Sequence, residues 1–220
     1  MKFNYKIWTD SLMPVPTVYI HSFVGNGEDV WKAAHEASCP LFNLVSIFDF
    51  QGDNDLTPWP AENTWKGQPP FSGGAEKHLE VLIGELMPEV EKQLPSPSTY
   101  NVLVGYSLAG LFTLWSALHT QVFRRIGCVS ASFWYPDFTD YLRSQLPALM
   151  VDAVYFSLGD KESKTKHPLM RQVEERTTEV VDCIKKAQIH TTFEMNPGNH
   201  FKDSDLRTAK AIHWLLTLEG

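Results

Sequence analysis

The chain has 220 residues and 43% of them are hydrophobic, which is enough for one sizeable core, so we expect a single domain over residues 1–220. A net charge of −7, from 26 acidic and 19 basic residues, argues against a nucleic-acid partner and against a polybasic membrane anchor. No apolar run is long enough to cross a bilayer, and the first ten residues lack the apolar stretch of a secretory signal.

The cysteines favour a reducing compartment. Cys39, Cys128 and Cys183 are odd in number, far apart in the sequence and set in apolar contexts. We therefore expect free, mostly buried thiols and a cytoplasmic location.

Short apolar strands alternate with helices along most of the chain. In chain order, hydrophobic periodicity predicts a strand over 17–20, a helix over 29–37, a strand over 41–48, a helix over 75–94 with a kink at Pro88, a strand over 100–104, a helix over 108–119, a strand over 126–130, a polar helix after Pro136, a strand over 153–158, a helix over 168–187, a strand over 189–195 and a helix over 204–218. This alternation predicts an α/β fold with a mostly parallel sheet and helices on both faces. Ligands of such sheets bind beyond the carboxyl ends of the strands, so the residues that follow each strand are the candidate site.

Residues 49–72 interrupt the alternation. They have no periodicity and contain four prolines and two tryptophans, Trp59 and Trp65. A connection of this length is commonly a lid or a binding loop, and tryptophans argue against disorder. We expect the segment to cover a pocket, with Trp59, Trp65 and Phe71 as candidate substrate contacts; packing of these rings on the domain's own surface is the alternative.

A lone serine lies between two apolar segments, in the sequence GYSLAG of residues 105–110. A tight, strained turn from strand to helix needs small residues around a nucleophilic serine, and Gly105 and Ala109 flank Ser107. The strict pattern has glycine where Ala109 stands, so the match is a relaxed one. The predicted strand before it and the apolar helix after it favour Ser107 as a nucleophile over a serine that merely caps the helix.

A serine nucleophile needs a base and an acid, which in this arrangement follow it along the chain in the order acid, then histidine. Among eight histidines, His200 lies in a loop between the last strand and the last helix, where the base is required. His78 is expected on the solvated side of its helix. Two carboxylates follow the strand over 153–158, and the spacing after the turn glycine favours Glu162, whereas Asp160 could instead fix the turn.

Backbone N–H groups are expected to hold the oxyanion. One donor is Leu108, at a helix N-terminus where the dipole favours negative charge, and the other is Phe23, in the loop after the strand over 17–20. That loop has two glycines but lacks the third glycine of a dinucleotide fingerprint, and His35 lacks the second histidine of a helical zinc site. We therefore expect neither a cofactor nor a metal.

Together these residues resemble an α/β-hydrolase, and within that fold the small esterases that include siderophore-esterase-like and "putative esterase" proteins. The resemblance covers nearly the whole chain and rests on HSF (21–23) with its glycine loop, GYSLAG (105–110), SASFWY (130–135), GDKE (159–162) and GNHF (198–201). It implies that Ser107 is the nucleophile and His200 the base. It further implies that Glu162 or Asp160 is the acid, and that Trp134 belongs to the acyl or alcohol pocket.

Three features depart from that family pattern. Ser22 replaces the glycine that commonly follows the loop histidine, Ala109 replaces a glycine, and the antiparallel strands at the N-terminal edge are reduced or missing. No separate cap domain fits between the strands over 126–130 and 153–158.

These patterns predict a serine hydrolase that cleaves a carboxylic ester of a small molecule through an acyl-enzyme intermediate. Tyr106, next to the nucleophile, is a further candidate substrate contact. Acyl transfer by the same residues and a non-catalytic binding protein that retains the fold are the alternatives. The sequence leaves the natural ester and the oligomeric state open.

Overall fold

The computed structural model describes residues 4–64 and 67–219. Within them the strands are β1 (Asn4–Trp8), β2 (Thr17–His21), β3 (Asn43–Phe48), β4 (Pro60–Ala61), β5 (Phe71–Ser72), β6 (Asn101–Tyr106), β7 (Phe123–Val129), β8 (Ala153–Gly159) and β9 (His190–Asn196). The α-helices are α1 (Glu28–Glu36), α2 (Gly52–Asp55), α3 (Ala75–Val81), α4 (Met87–Gln93), α5 (Leu108–Ala117), α6 (Phe138–Gln145), α7 (Val173–Lys186) and α8 (Ser204–Thr217).

The described strands form a seven-stranded sheet in the order β1-β3-β2-β6-β7-β8-β9, beside a separate β4–β5 pair. All neighbours in the large sheet are parallel except β1, which pairs with β3 antiparallel. The predicted mostly parallel sheet with helices on both faces is therefore confirmed. The N-terminal antiparallel edge is reduced to β1 in the described residues, and the sequence analysis missed this strand.

Two hydrophobic cores lie on the two faces of the sheet. One core packs α5 and α7 against it, as shown by the buried side chains of Phe112 and Val180. The other packs α1 and α8, through residues such as Ala34 and Ile212. All ten residues of α5 are buried, because this helix is apolar on every side. The helix that follows Ser107 is thus a rigid support for the turn in front of it.

The predicted helix over 75–94 is interrupted just before its proline. A π-helical turn, Leu82–Leu86, joins α3 to α4, and Pro88 lies in the first turn of α4. Proline has no N–H to donate to the preceding turn, so the wider turn accommodates it without ending the helix. None of the helices in residues 4–64 and 67–219 is both long and apolar enough to cross a membrane.

His78 corrects the sequence analysis, because its side chain is completely buried rather than solvated. Its Nε2 atom lies 2.8 Å from Nε2 of His21, at the end of β2. The ring of Phe112 packs edge-on against both imidazoles. Burial lowers the pKa of His78 to about 4, and burial together with the nearby His78 lowers the pKa of His21 well below its ordinary value. Both imidazoles are therefore neutral at pH 7.

We expect this buried pair to make the fold sensitive to acid. In the unfolded chain a histidine takes up its proton near pH 6.5, whereas folded His78 stays neutral down to about pH 4. Neutral His78 therefore makes its full contribution to the free energy of unfolding above about pH 6.5. As the pH falls from 7 to 5, the unfolded chain takes up a proton that the folded chain does not, and the free energy of unfolding decreases by about 2 kcal/mol on account of His78. Urea unfolding at the two pH values measures the change.

The matched variants for this test are His78→Gln and His190→Gln. Glutamine at position 78 keeps a hydrogen-bonding group beside His21 but does not titrate, so its free energy of unfolding should depend less on pH. His190 is exposed, and its replacement should leave the wild-type pH dependence unchanged. Equal pH dependence of wild type and His78→Gln would contradict the prediction.

Candidate active site

Ser107 occupies a strained turn between β6 and α5. Its backbone has φ 58° and ψ −122°, an unfavourable conformation for a residue with a side chain. Backbone hydrogen bonds hold it there: the Ser107 N–H donates to Val129 O at 3.0 Å, and its carbonyl accepts from Ser132 N–H at 3.1 Å. Its hydroxyl makes no capping hydrogen bond to α5 within the described part of the chain.

Two glycines permit the close approach of strand and helix at this turn. A Cβ atom at Gly105 would overlap the carbonyl of Ala109, and one at Gly110 would lie 2.7 Å from the Ala131 Cβ. Ala109 itself is fully buried. The turn thus holds an alanine at position 109, while the close contacts at positions 105 and 110 require glycine.

His200 lies on the loop between β9 and α8, with its imidazole beside the serine. Its Nε2 atom is 3.0 Å from Ser107 Oγ, and its Nδ1 atom is 2.7 Å from Glu162 Oε2. With the proton on Nδ1, the ring donates to the carboxylate and accepts from the serine hydroxyl. The Tyr106 hydroxyl donates to the carbonyl of His200 at 2.6 Å and fixes the loop.

Sheet register brings the candidate acid and the histidine together. Gly159, the last residue of β8, pairs with Asn196, the last residue of β9, so the two following loops leave the sheet side by side. The Glu162 carboxylate is buried, and its Oε1 atom accepts from Ser130 Oγ and from Gly159 N–H, each at 2.7 Å. Burial alone would raise the pKa of Glu162, but hydrogen bonds from His200, Ser130 and Gly159 outweigh it and hold that pKa below its ordinary range.

Asp160 lies on the same turn but has a different contact. Its Oδ1 atom accepts from the Gly198 N–H at 2.7 Å, and the residue is exposed. Asp160 thereby ties the turn after β8 to the loop that carries His200. Of the two carboxylates that sequence reasoning left open, the structure brings Glu162 to the imidazole.

A cavity of about 480 Å³ opens over the serine. It includes Ser107, His200 and Glu162, together with the predicted residues Tyr106 and Trp134. Its other described walls are mostly apolar: Phe23, Val24, Phe71, Leu108, Met170, Val173 and Phe201. The segment 49–72 contributes Asp53, Thr64 and Phe71 to the described lining.

The two expected oxyanion donors border this cavity. The N–H of Leu108 belongs to the first turn of α5, so it has no acceptor within the helix, and the helix dipole favours an anion there. Phe23 follows β2 and also lines the cavity. The side chain of Ser22, next to Phe23, does not occupy the expected oxyanion position, because its Oγ atom lies 2.7 Å from the Oγ atom of Ser46, a buried residue of β3.

Trp59, one of the two tryptophans of the segment 49–72, differs from its prediction as a substrate contact. Trp59 is not among the described cavity residues; its indole N–H donates to Pro136 O at 3.1 Å, and its ring packs against Tyr135 and Tyr141. It therefore anchors the segment to the domain, which was the alternative reading. Trp65 lies outside the described residues.

Sequence reasoning missed Ser132 and Arg207. The Ser132 hydroxyl is buried in the cavity wall, 3.4 Å from Ser107 Oγ. Arg207 is 2% exposed and lies 3.0 Å from Glu162 Oε1. The sequence did contain a signal for the burial of Arg207. This residue lies four residues before Ala211 and eight before Leu215, a spacing that places all three on the buried face of α8. No group of three or more His, Cys, Asp or Glu side chains in the described part of the chain is placed to hold a metal ion.

Comparisons with known proteins support this fold. The chain is 23% identical over 212 residues to the uncharacterized protein YbbA of Bacillus subtilis, a match that spans 91% of this chain and 85% of that one. An IroE-like serine hydrolase from Shewanella oneidensis superposes with a TM-score of 0.81 at 20% identity, over 97% of this chain and 75% of the other. The siderophore hydrolase EstA from Aspergillus nidulans superposes with a TM-score of 0.71 at 17% identity, over 98% and 91%.

These superpositions identify the fold as that of the α/β-hydrolases. The model of a protein family described as "Putative esterase" matches residues 31–203, which include the turn at Ser107, Glu162 and His200. The chain therefore belongs to this esterase family of the α/β-hydrolase fold.

Proposed function

We propose that the protein is a serine hydrolase that cleaves a carboxylic ester through an acyl-enzyme intermediate. One observation carries the proposal: Ser107, His200 and Glu162 form a continuous hydrogen-bonded chain, with distances of 3.0 and 2.7 Å, at the base of a cavity. This is the geometry that a hydroxyl needs to become a nucleophile at neutral pH.

Each residue has one role in the proposed reaction. Ser107 Oγ bonds to the acyl carbon while its proton passes to Nε2 of His200, and the N–H groups of Leu108 and Phe23 hold the oxyanion. His200 returns the proton to the departing alkoxide, which leaves as an alcohol. Water then attacks the acyl-enzyme with His200 again as base, so that the carboxylic acid leaves and the serine is restored.

Glu162 fixes the imidazole and stabilises its cation. The carboxylate accepts a hydrogen bond from the Nδ1–H group of His200, which leaves Nε2 free to take the proton of the serine. It stays ionised throughout, because the Ser130 and Gly159 donors already stabilise its charge.

The cavity suggests an uncharged ester with an apolar acyl or alcohol part. Its described walls are largely aromatic and aliphatic, and the acidic side chains among them are Asp53 and Glu162. Structural neighbours such as EstA are named siderophore hydrolases, but an anionic ferric complex suits neither these walls nor the net charge of −7. Two departures from the family pattern are compatible with catalysis, because the Ser22 hydroxyl is hydrogen-bonded to Ser46 and Ala109 is fully buried.

Labelling with a fluorophosphonate tests the nucleophile directly. Ser107 Oγ should displace fluoride and form one covalent phosphonyl adduct, which peptide mass spectrometry should locate on Ser107. Ser132→Ala is the matched control. The hydroxyl that it removes lies 3.4 Å from Ser107 Oγ but makes no contact with His200 among the described hydrogen bonds. The control should label like wild type and Ser107→Ala should not label. Equal labelling of wild type and Ser107→Ala would overturn the proposal.

A further inference from the structure

Arg207 is enclosed beside the candidate acid, although arginine is seldom fully buried. Its side chain projects from the first turn of α8 and is 2% exposed. The Nη1 atom lies 3.0 Å from Glu162 Oε1 and 3.3 Å from both Ser130 Oγ and the Tyr106 hydroxyl. Arg207 therefore contacts the carboxylate oxygen that faces away from His200.

The second guanidinium nitrogen contacts the loop of the base. Nη2 donates to the carbonyls of Pro197 and Asn199 at 3.2 and 3.1 Å, immediately before His200 in the chain. One planar group thus joins the loop after β8 to the loop after β9. A lysine presents a single ammonium on a flexible stem and cannot reach both sides at once.

The guanidinium also carries a permanent positive charge into this cluster. A buried carboxylate without a partner is costly, and Arg207 supplies a partner that does not titrate in the physiological range. A positive charge next to two coupled groups disfavours the addition of a proton to either of them. The charge of Arg207 therefore opposes protonation of the Glu162–His200 pair.

We propose that Arg207 is a positioning residue of the hydrolytic site, which clamps the loop of His200 to Glu162 and lowers the proton affinity of that pair, so that the imidazole is available as a base at neutral pH. The inference rests on the proposed function of Ser107, Glu162 and His200. It adds a residue from α8 to a site otherwise built on the ends of strands.

The other titratable groups around Arg207 have little effect on this balance. Burial raises the pKa of Tyr106, on β6, and that of Tyr155, on β8, so both phenols stay neutral near pH 7. Lys210, one turn further along α8, pairs with Glu194 of β9 at 2.5 Å, and these two charges compensate each other. The Glu162–His200 pair is left as the coupled pair that the guanidinium contacts.

Two variants separate the charge of Arg207 from its shape. Arg207→Met removes both, whereas Arg207→Lys keeps the charge and loses the planar fork. For Arg207→Met we expect kcat at pH 8 to fall about 100-fold with little change in KM, and the acid limb of the kcat/KM profile to move up by about one pH unit. Arg207→Lys should lose rate at every pH but keep the acid limb of the wild type.

Arg125→Met is the matched control. Arg125 is also buried, but its Nη1 atom contacts Leu215 O at 2.6 Å and the Tyr100 hydroxyl at 3.2 Å, at the amino ends of the strands. Its loss should reduce stability without moving the acid limb. A shift as large as that of Arg207→Met would show that loss of any buried arginine has this effect, and would overturn the inference.

NMR titration of the His200 ring, assigned with His200→Gln, measures protonation without requiring turnover. The midpoint should rise by about one pH unit in Arg207→Met relative to wild type.

An unchanged midpoint, or full wild-type rate in Arg207→Lys, would overturn the role of Arg207 while leaving the proposed hydrolase intact. Full activity of Ser107→Ala would instead overturn the hydrolase. If Arg207→Met does not fold, the rate and acid limb of Arg207→Lys decide the question.

Discussion

Replacement of Ser107 by alanine is expected to lower hydrolysis of p-nitrophenyl acetate by about 10⁴-fold or more in kcat/KM. The change removes the atom that attacks the acyl carbon, and a water molecule held by His200 is a far weaker substitute. The fold should be unaffected, because the hydroxyl contacts His200 and Ser132 and does not cap α5 in the described residues.

Steady-state kinetics of wild type and Ser107→Ala, alongside their thermal unfolding midpoints, measure this effect. Similar midpoints with a large difference in rate attribute the loss to chemistry and not to unfolding. A Ser107→Ala protein that retains a tenth of the wild-type rate or more would contradict the assignment of Ser107 as nucleophile.

The second large effect is expected at the acid. Glu162→Gln should lower kcat by about 10³-fold or more, because an amide nitrogen facing Nδ1 of His200 favours the tautomer with its proton on Nε2. That tautomer cannot accept the proton of the serine. The amide oxygen can still accept from the Gly159 N–H and from Arg207, so the loop should keep its position.

Asp160→Asn is the matched comparison, two residues away on the same turn. Its amide oxygen can still accept from the Gly198 N–H, so activity should stay within about threefold of wild type. Parallel measurement of kcat for the two variants decides between the carboxylates. Loss of activity in Asp160→Asn with Glu162→Gln unaffected would reverse the assignment.

The parts of the fold that could be predicted are those with a local signal. Apolar runs broken by turn residues identified the central strands, and the fixed order of serine, acid and histidine then selected Ser107 and His200 from many candidates. β1 was missed because it is an exposed edge strand, Asn4–Trp8, whose inner residues are only half buried.

Other features depend on contacts between distant parts of the chain. Trp59 was expected in the cavity, but its partners come from the loop and helix near Pro136, about 77 residues away. His78 was expected in solvent, yet its partner His21 lies 57 residues earlier. A helical pattern shows which side of a helix a residue occupies, but it does not show which polar group from elsewhere will meet it.

The turn at Ser107 bears on how relatives of this chain can be recognised. Its steric limits fall on Gly105 and Gly110, where a Cβ atom would overlap neighbouring atoms, while position 109 already holds a buried alanine. Position 109 can therefore exchange glycine for another small residue, whereas a larger residue at position 105 or 110 would push the strand and the helix apart. A search template that demands glycine two places after the serine would overlook such chains, and one that demands it three places after would retain them.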